Sequence, residues 1–296
     1  MRRATAVLAF LAVLVAAGCG AGEPGPGGAS KAPAAADLVA DAVEALEEVE
    51  SAHYALGVTI EADLAQAAMG TGPFGSGEPI RLRMEGDVAS EAGTGNLEVD
   101  LGGQTLRAEL RFDADDLYVR FLGRWYGKRG VELDDEKAKR RPGDISPNEI
   151  RAHFDEVFTG QVEAGPLVGG AETWEFRGRL NADGLAKLAR AFGGEVEPDD
   201  LQALREVADA VTVAVAAGRG DRLLRRAEVA VDIGEDELKA LEPRAEAPMR
   251  GFRAQATLDL SDFGKDVQVE PPREFRPLED LVAHFLGGFG GGVSTP

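Results

Sequence analysis

The sequence predicts an α+β domain, one large curved antiparallel sheet with helices packed on its concave face. Two observations lead there. Apolar residues alternate with polar ones in about nine separate runs, the period of strands with one wet face, whereas helical spacing occurs in only a few places. The runs are joined by short connections rich in Gly and Asp, of hairpin length. Composition fits a packed domain: 296 residues, 44% hydrophobic and 28% charged, are too apolar for a disordered chain and too charged for a membrane bundle. A net charge of −20 repels a phosphate backbone, so no nucleic-acid partner is expected. One cysteine excludes a disulfide framework and a zinc site built on several thiolates.

Taken in chain order, Arg2 and Arg3 precede an apolar run at 4–17 and then small residues, the grammar of a secretory signal peptide over 1–18. The run is too short to span a bilayer stably. Ala16-Ala17-Gly18-Cys19 resembles the lipobox of bacterial lipoproteins, in which a diacylglycerol is attached to the cysteine sulfur before cleavage. That resemblance implies lipidation at Cys19 and a place on the extracytoplasmic face of the cell membrane. Cleavage removes Arg2 and Arg3 and moves the net charge from −20 to −22. Such a chain gains nothing from anionic headgroups, so the lipid must hold it. The segment 20–36, rich in Gly, Pro and Ala, reads as a tether with a reach of roughly 20–25 Å.

Leu38, Ala42, Ala45, Leu46 and Val49 then recur at helical spacing, with Asp37 placed as a cap. From Ser51 the period changes to two, with Tyr54, Leu56, Val58 and Ile60 on one face. The alternation returns at Ile80, Leu82 and Met84, at Leu97, Val99 and Leu101, and at Leu106, Leu110 and Phe112. It continues through Leu117–Phe121, Trp174–Leu180, Val211–Val215, Val229–Ile233 and Phe252–Leu260. Helical patterns interrupt it at 149–158, 181–192 and 198–210. The domain is expected over 37–272, and 273–296 is expected to be a tail with a short helix and a Gly-rich end.

A sheet of that width tends to curl, which gives it a concave apolar side. Several inward positions are small (Gly86, Ala108, Gly178, Ala227, Ala254, Ala256), and only 6% of residues are aromatic. The periodicity leaves open whether helices fill the concavity or leave room for a ligand. The order of elements, with 115–126 (DDLYVRFLGRWY), 170–178 (GAETWEFRG) and 258–267 (LDLSDFGKDV) before a Pro pair, resembles the LppX/LprAFG group of actinobacterial lipoproteins. This implies a LolA/LolB-like half-barrel that carries acylated lipids or glycolipids. The loop 64–79 and the end of the chain after Leu286 depart from that group.

Catalytic signatures are lacking in the linear sequence. His53, His153 and His284 have no paired spacing. The match of 70–75 to GxGxxG contains a proline and opens no helix. Asp113–Asp116 and 134–136 concentrate carboxylates without the loop of a Ca²⁺ site and read as solvated turns. Trp125 and Tyr126 either stack on a sugar or pin the end of a strand. The expectation is therefore a non-enzymatic envelope lipoprotein without metal or cofactor, anchored through Cys19, binding a lipid or glycolipid for transport or display. Leu56, Val58, Ile60, Leu82, Met84, Leu110, Phe112, Trp174, Phe176 and Val213 are the expected lining. An envelope transporter or export partner and a monomeric state complete it. The alternative is an envelope interaction protein whose core is filled.

Overall fold

The computed structural model describes residues 31–64, 78–114, 116–130, 146–184, 186, 202, 205, 207–241 and 249–281. Helix α1 (Ala35–Glu47) leads into strands β1 (Ser51–Leu64), β2 (Ile80–Ala89), β3 (Ala92–Leu101), β4 (Gln104–Asp113), β5 (Asp116–Phe121) and β6 (Arg124–Lys128). Then come α2 (Pro147–Val157), β7 (Phe158–Ala164), β8 (Thr173–Leu180), β9 (Val211–Gly218), β10 (Leu224–Ile233), α3 (Glu235–Leu241), β11 (Met249–Ser261) and β12 (Arg276–Pro277). Cys19, the loop 65–77, the carboxylates 134–136 and the apolar positions Phe285, Leu286 and Phe289 lie outside the described residues.

All strands belong to one sheet, in the order β12-β6-β5-β4-β3-β2-β1-β11-β10-β9-β8-β7. The first six walk outward from the centre by successive hairpins. The next five walk back from the opposite edge, so that β11 closes onto β1. Every pair is antiparallel except β12 on β6, and the two edges are not joined. This open sheet, with few helices among the described residues, is the α+β arrangement that the alternating pattern predicts. Local chemistry sets the hairpins: Gly102 and Gly103 (φ 54° and 89°) supply the two left-handed residues that a tight turn between right-twisted strands demands.

The strand count of about nine becomes twelve. Strand β6 escapes the periodicity because of its three inward positions only Tyr126 is apolar, the other two being Arg124 and Lys128. Strand β7 escapes because it follows α2 without a loop. The helix anticipated at 149–158 runs from Pro147 to Val157, with Ser146 and Glu149 forming a capping box. Phe158 is already extended, at φ −126° and ψ 143°. Helix α1 starts two residues before Asp37, which sits in its first turn. The cap position is Ala34, which makes no side-chain capping bond. The connection between β2 and β3 is only Ser90 and Glu91, because Ala92, Gly93 and Thr94 belong to β3. Of the helical patterns 181–192 and 198–210, residues 182–184, 186, 202, 205, 207 and 208 are helical, Asn181 precedes the first of them, and 185, 187–192, 198–201, 203, 204 and 206 lie outside the described residues.

Cross-strand register sorts the side chains into two faces. Leu56 stands opposite Met84 and Leu258, and Val58 opposite Leu82 and Ala256. The row continues through Leu97 and Ala108 on one side and Ala227 and Val215 on the other. Residues between these positions form a polar face.

Past β11 the chain crosses that polar face. The amide of Gly264 donates to the Ser51 carbonyl (2.9 Å), and Arg111 donates to the Glu270 carbonyl (2.6 Å). Phe275 meets the fully buried Tyr118 edge-on at 5.1 Å. The chain then pairs as β12 and turns around the edge, where Leu278 and Leu281 pack on Phe121 and Tyr126. The segment assigned to a tail from residue 273 is thus docked on the sheet as far as Leu281.

Candidate functional site

The apolar face is covered unequally. Over β7–β9, α1 and α2 bury it: Leu38, Ala42, Phe154, Phe176 and Ala217 form one cluster, and Val157, Leu180 and Val211 a second. Phe176 is 1% exposed and meets Phe154 and Phe158 edge-on at 5.0 and 6.3 Å. Buried rings of this kind contribute about 1.5–3 kcal/mol each through area, and each aromatic pair roughly 0.5–1.5 kcal/mol more. Arg151 on α2 ties α1 down through Asp41 (2.6 Å), Glu44 (3.2 Å) and Asp37 (3.6 Å).

Over β1–β4 the same face has no such cover among the described residues. Leu56, Val58 and Ile60 on β1, Leu82 and Met84 on β2, and Leu110 and Phe112 on β4 are all half-buried. Leu97, Val99 and Leu106 lie between them in register and share that exposure. The region spans about 15–20 Å across the strands and a similar length along them. The change is gradual: on β11 Ala254 and Leu258 are buried while Ala256 and Leu260 are not, and on β10 Ala227, Val229 and Val231 are still half-buried.

Within the uncovered half, glycines on β3 change how aromatic rings stand. The Tyr54 ring reaches across Gly86 to β3, where its hydroxyl donates to the Thr94 carbonyl (3.2 Å). A Cβ on Gly95 would lie 2.5 Å from that hydroxyl oxygen. Phe112 reaches back from the other side, and a Cβ on Gly93 would lie 2.3 Å from its ring. Both rings therefore lie low over bare backbone instead of standing up from the sheet. Burial, and then the charge of Asp87, raises the Tyr54 pKa above the ordinary phenol value.

The polar face is organised as a lattice of ion pairs. Arg107 bonds Glu98 (2.7 Å), Arg226 grips Asp259 with two bonds (2.6 and 3.0 Å), and Arg253 bonds Asp232 (3.0 Å). Exposed pairs of this kind contribute little to stability. Two depressions of about 520 Å³ lie on this face, one over β2–β5 beside Arg83, Asn96 and Arg107, the other over β7–β10 beside Thr159, Arg177 and Thr212. Trp125 is held between the guanidinium groups of Arg111 (4.8 Å) and Arg120 (6.0 Å), and Tyr126 is in the core. His53 bonds Asp87 (2.9 Å), and His153 is 4.0 Å from Glu156. Among the described residues, no group of three or more His, Cys, Asp or Glu side chains could hold a metal ion.

The structure thus splits the expected lining residues. The seven on β1, β2 and β4 share one continuous half-buried surface. Phe176 and Val213 are buried on the other half, and Trp174 packs beside Phe176 with Arg219 stacked 4.1 Å above it. Sequence reasoning missed Tyr54 and the glycines Gly93 and Gly95. Their signal was an aromatic residue facing glycines across adjacent strands, which appears only once register is known.

In comparisons with known proteins, no family model matches the chain, and no curated protein matches it. Among solved structures it is similar to the lipoprotein LppX of Mycobacterium tuberculosis, with 14% identity, a TM-score of 0.43, and coverage of 80% of this chain and 100% of that one. It is also similar to LprF of Mycobacterium bovis, with 11% identity, a TM-score of 0.41, and coverage of 82% and 99%. A DUF1329 family protein from Desulfovibrio piger follows at 9% identity and a TM-score of 0.22, with 81% and 96% covered. No helix among the described residues is long and apolar enough to cross a membrane.

Proposed function

We propose that this chain is an envelope lipoprotein, anchored through Cys19, that shelters an acyl chain of a lipid or glycolipid against β1–β4. The observation that carries this reading is the asymmetry of the apolar face. One half is closed by two helices, and the other keeps Leu56, Val58, Leu82, Met84 and Leu110 half-buried. The signal peptide and the cysteine that follows it support a place beside a membrane, where the available apolar ligand is lipid. The energetics suit a carrier. Each methylene taken from water is worth about 0.8 kcal/mol, so a chain of ten offsets much of the cost of leaving a bilayer. No catalytic step enters this function.

A second reading, an envelope protein that acts through its charged face without a ligand, is favoured by the position of the two 520 Å³ depressions. Native mass spectrometry of the full chain, purified from a lipid-containing host, separates them. A carrier arrives with acyl species that the substitution Val58→Trp displaces. A spectrum free of lipid before and after the substitution favours the second reading.

A further inference from the structure

Taking the acyl-chain reading as its premise, we infer that Tyr54 and Phe112, lying over Gly95 and Gly93, form a stop that sets the length of acyl chain the protein accepts. Burial on the uncovered half is graded along the strands. At the end where β1 begins, Ala52, Gly86, Gly93 and Gly95 are buried. At the other end of the same face Ile60, Ala62, Ile80 and Leu101 are only half-buried and Gln104 is exposed. A chain laid along β1 and β2 therefore has its methyl end toward Tyr54 and Phe112 and its polar end toward the more open end beside Gln104, since burying a headgroup without partners is costly.

The two rings meet that methyl end from opposite sides of β3. Neither could lie this low over any residue but glycine, because a Cβ would sit 2.5 Å from the Tyr54 hydroxyl or 2.3 Å from the Phe112 ring. The hydroxyl bond to Thr94 pins the Tyr54 ring at its far end, so its height is fixed by backbone. The other half of the sheet repeats this construction with a different outcome. Phe176 lies over Gly178 and Gly160, where a Cβ would come within 2.3 and 2.7 Å of its ring, but Phe154 and Phe158 cap it. Among the described residues no side chain gives Tyr54 or Phe112 an equivalent cap, and the proposal assigns that place to the ligand's methyl end.

The test offers the full chain a series of saturated fatty acids of increasing length and reads the retained lengths by native mass spectrometry. Gly95→Ala lifts the Tyr54 ring and shifts the longest retained acid shorter by about one to two carbons, since close-packed sites register a single methylene. Phe112→Ala shifts it longer, and Tyr54→Phe, which keeps the ring but frees its far end, broadens the profile. A purely structural role would lower the melting temperature of these variants and leave the length profile in place. Retention by the unaltered chain with identical profiles in all three variants overturns the stop while the carrier reading stands. Absence of retention in the unaltered chain overturns the carrier reading itself.

Discussion

The two halves of the apolar face are built from the same parts and finished differently. Over β7–β9 an aromatic ring lies on glycine and the chain's own helices close over it; over β1–β4 two rings lie on glycine and the surface stays half open. An alternating pattern makes an apolar face but does not say what covers it. Cover is decided by where helices fall in the sequence, and the two larger helices among the described residues serve one half: α1 and α2 pack on each other and on β7–β10. The cluster they form contributes stability, and no described helix packs on the half they leave.

The largest expected contrast is in stability. Phe176→Ala removes a ring packed on three sides and costs about 3–5 kcal/mol, read as a fall in the urea midpoint. Phe112→Ala on the open half costs roughly half as much, because part of that surface is already hydrated. Equal losses would mean that both halves are equally packed. Next comes the reversed pattern in binding: Val58→Trp abolishes retention of fatty acids with little change in melting temperature. If Val58→Trp instead unfolds the chain, the open half is core and the distinction fails.

A smaller effect concerns pH. The amide and hydroxyl of Ser146 hold the Glu149 carboxyl below its ordinary pKa. Its contribution is present above the ordinary glutamate range and is lost as pH falls through the lowered value, when the protonated group no longer favours the helix start. Amide exchange in α2 should quicken on acidification while exchange in β1 and β2 does not, and Glu149→Gln should flatten the difference. Acidification that loosens both halves together would break it. The smallest effect is the cap itself: Ser146→Ala costs about 1 kcal/mol, confined to the covered half, measured by the melting temperature.

Much of this architecture was legible in the sequence because period-two alternation is a direct image of a one-sided strand. Leu56, Val58, Leu82, Met84, Leu110 and Phe112 read correctly as one face, since each strand carried its own signal. Strands β6 and β7 were not legible: Arg124 and Lys128 occupy inward positions, and Phe158 continues a helical spacing that backbone geometry ends one residue earlier. The partition of the face was not legible either. Trp174 and Phe176 alternate just as Leu110 and Phe112 do, and only the packing of Leu38 and Phe154 distinguishes them.

The most direct measurement is photo-crosslinking of the full chain with a fatty acid carrying a diazirine near its methyl end, followed by peptide mapping. The account predicts adducts on β1–β4, concentrated at Tyr54, Leu56, Leu110 and Phe112, with none on the cluster of Phe154 and Phe176. Adducts confined to α1, α2 or the polar face, with β1–β4 unlabelled, would contradict it.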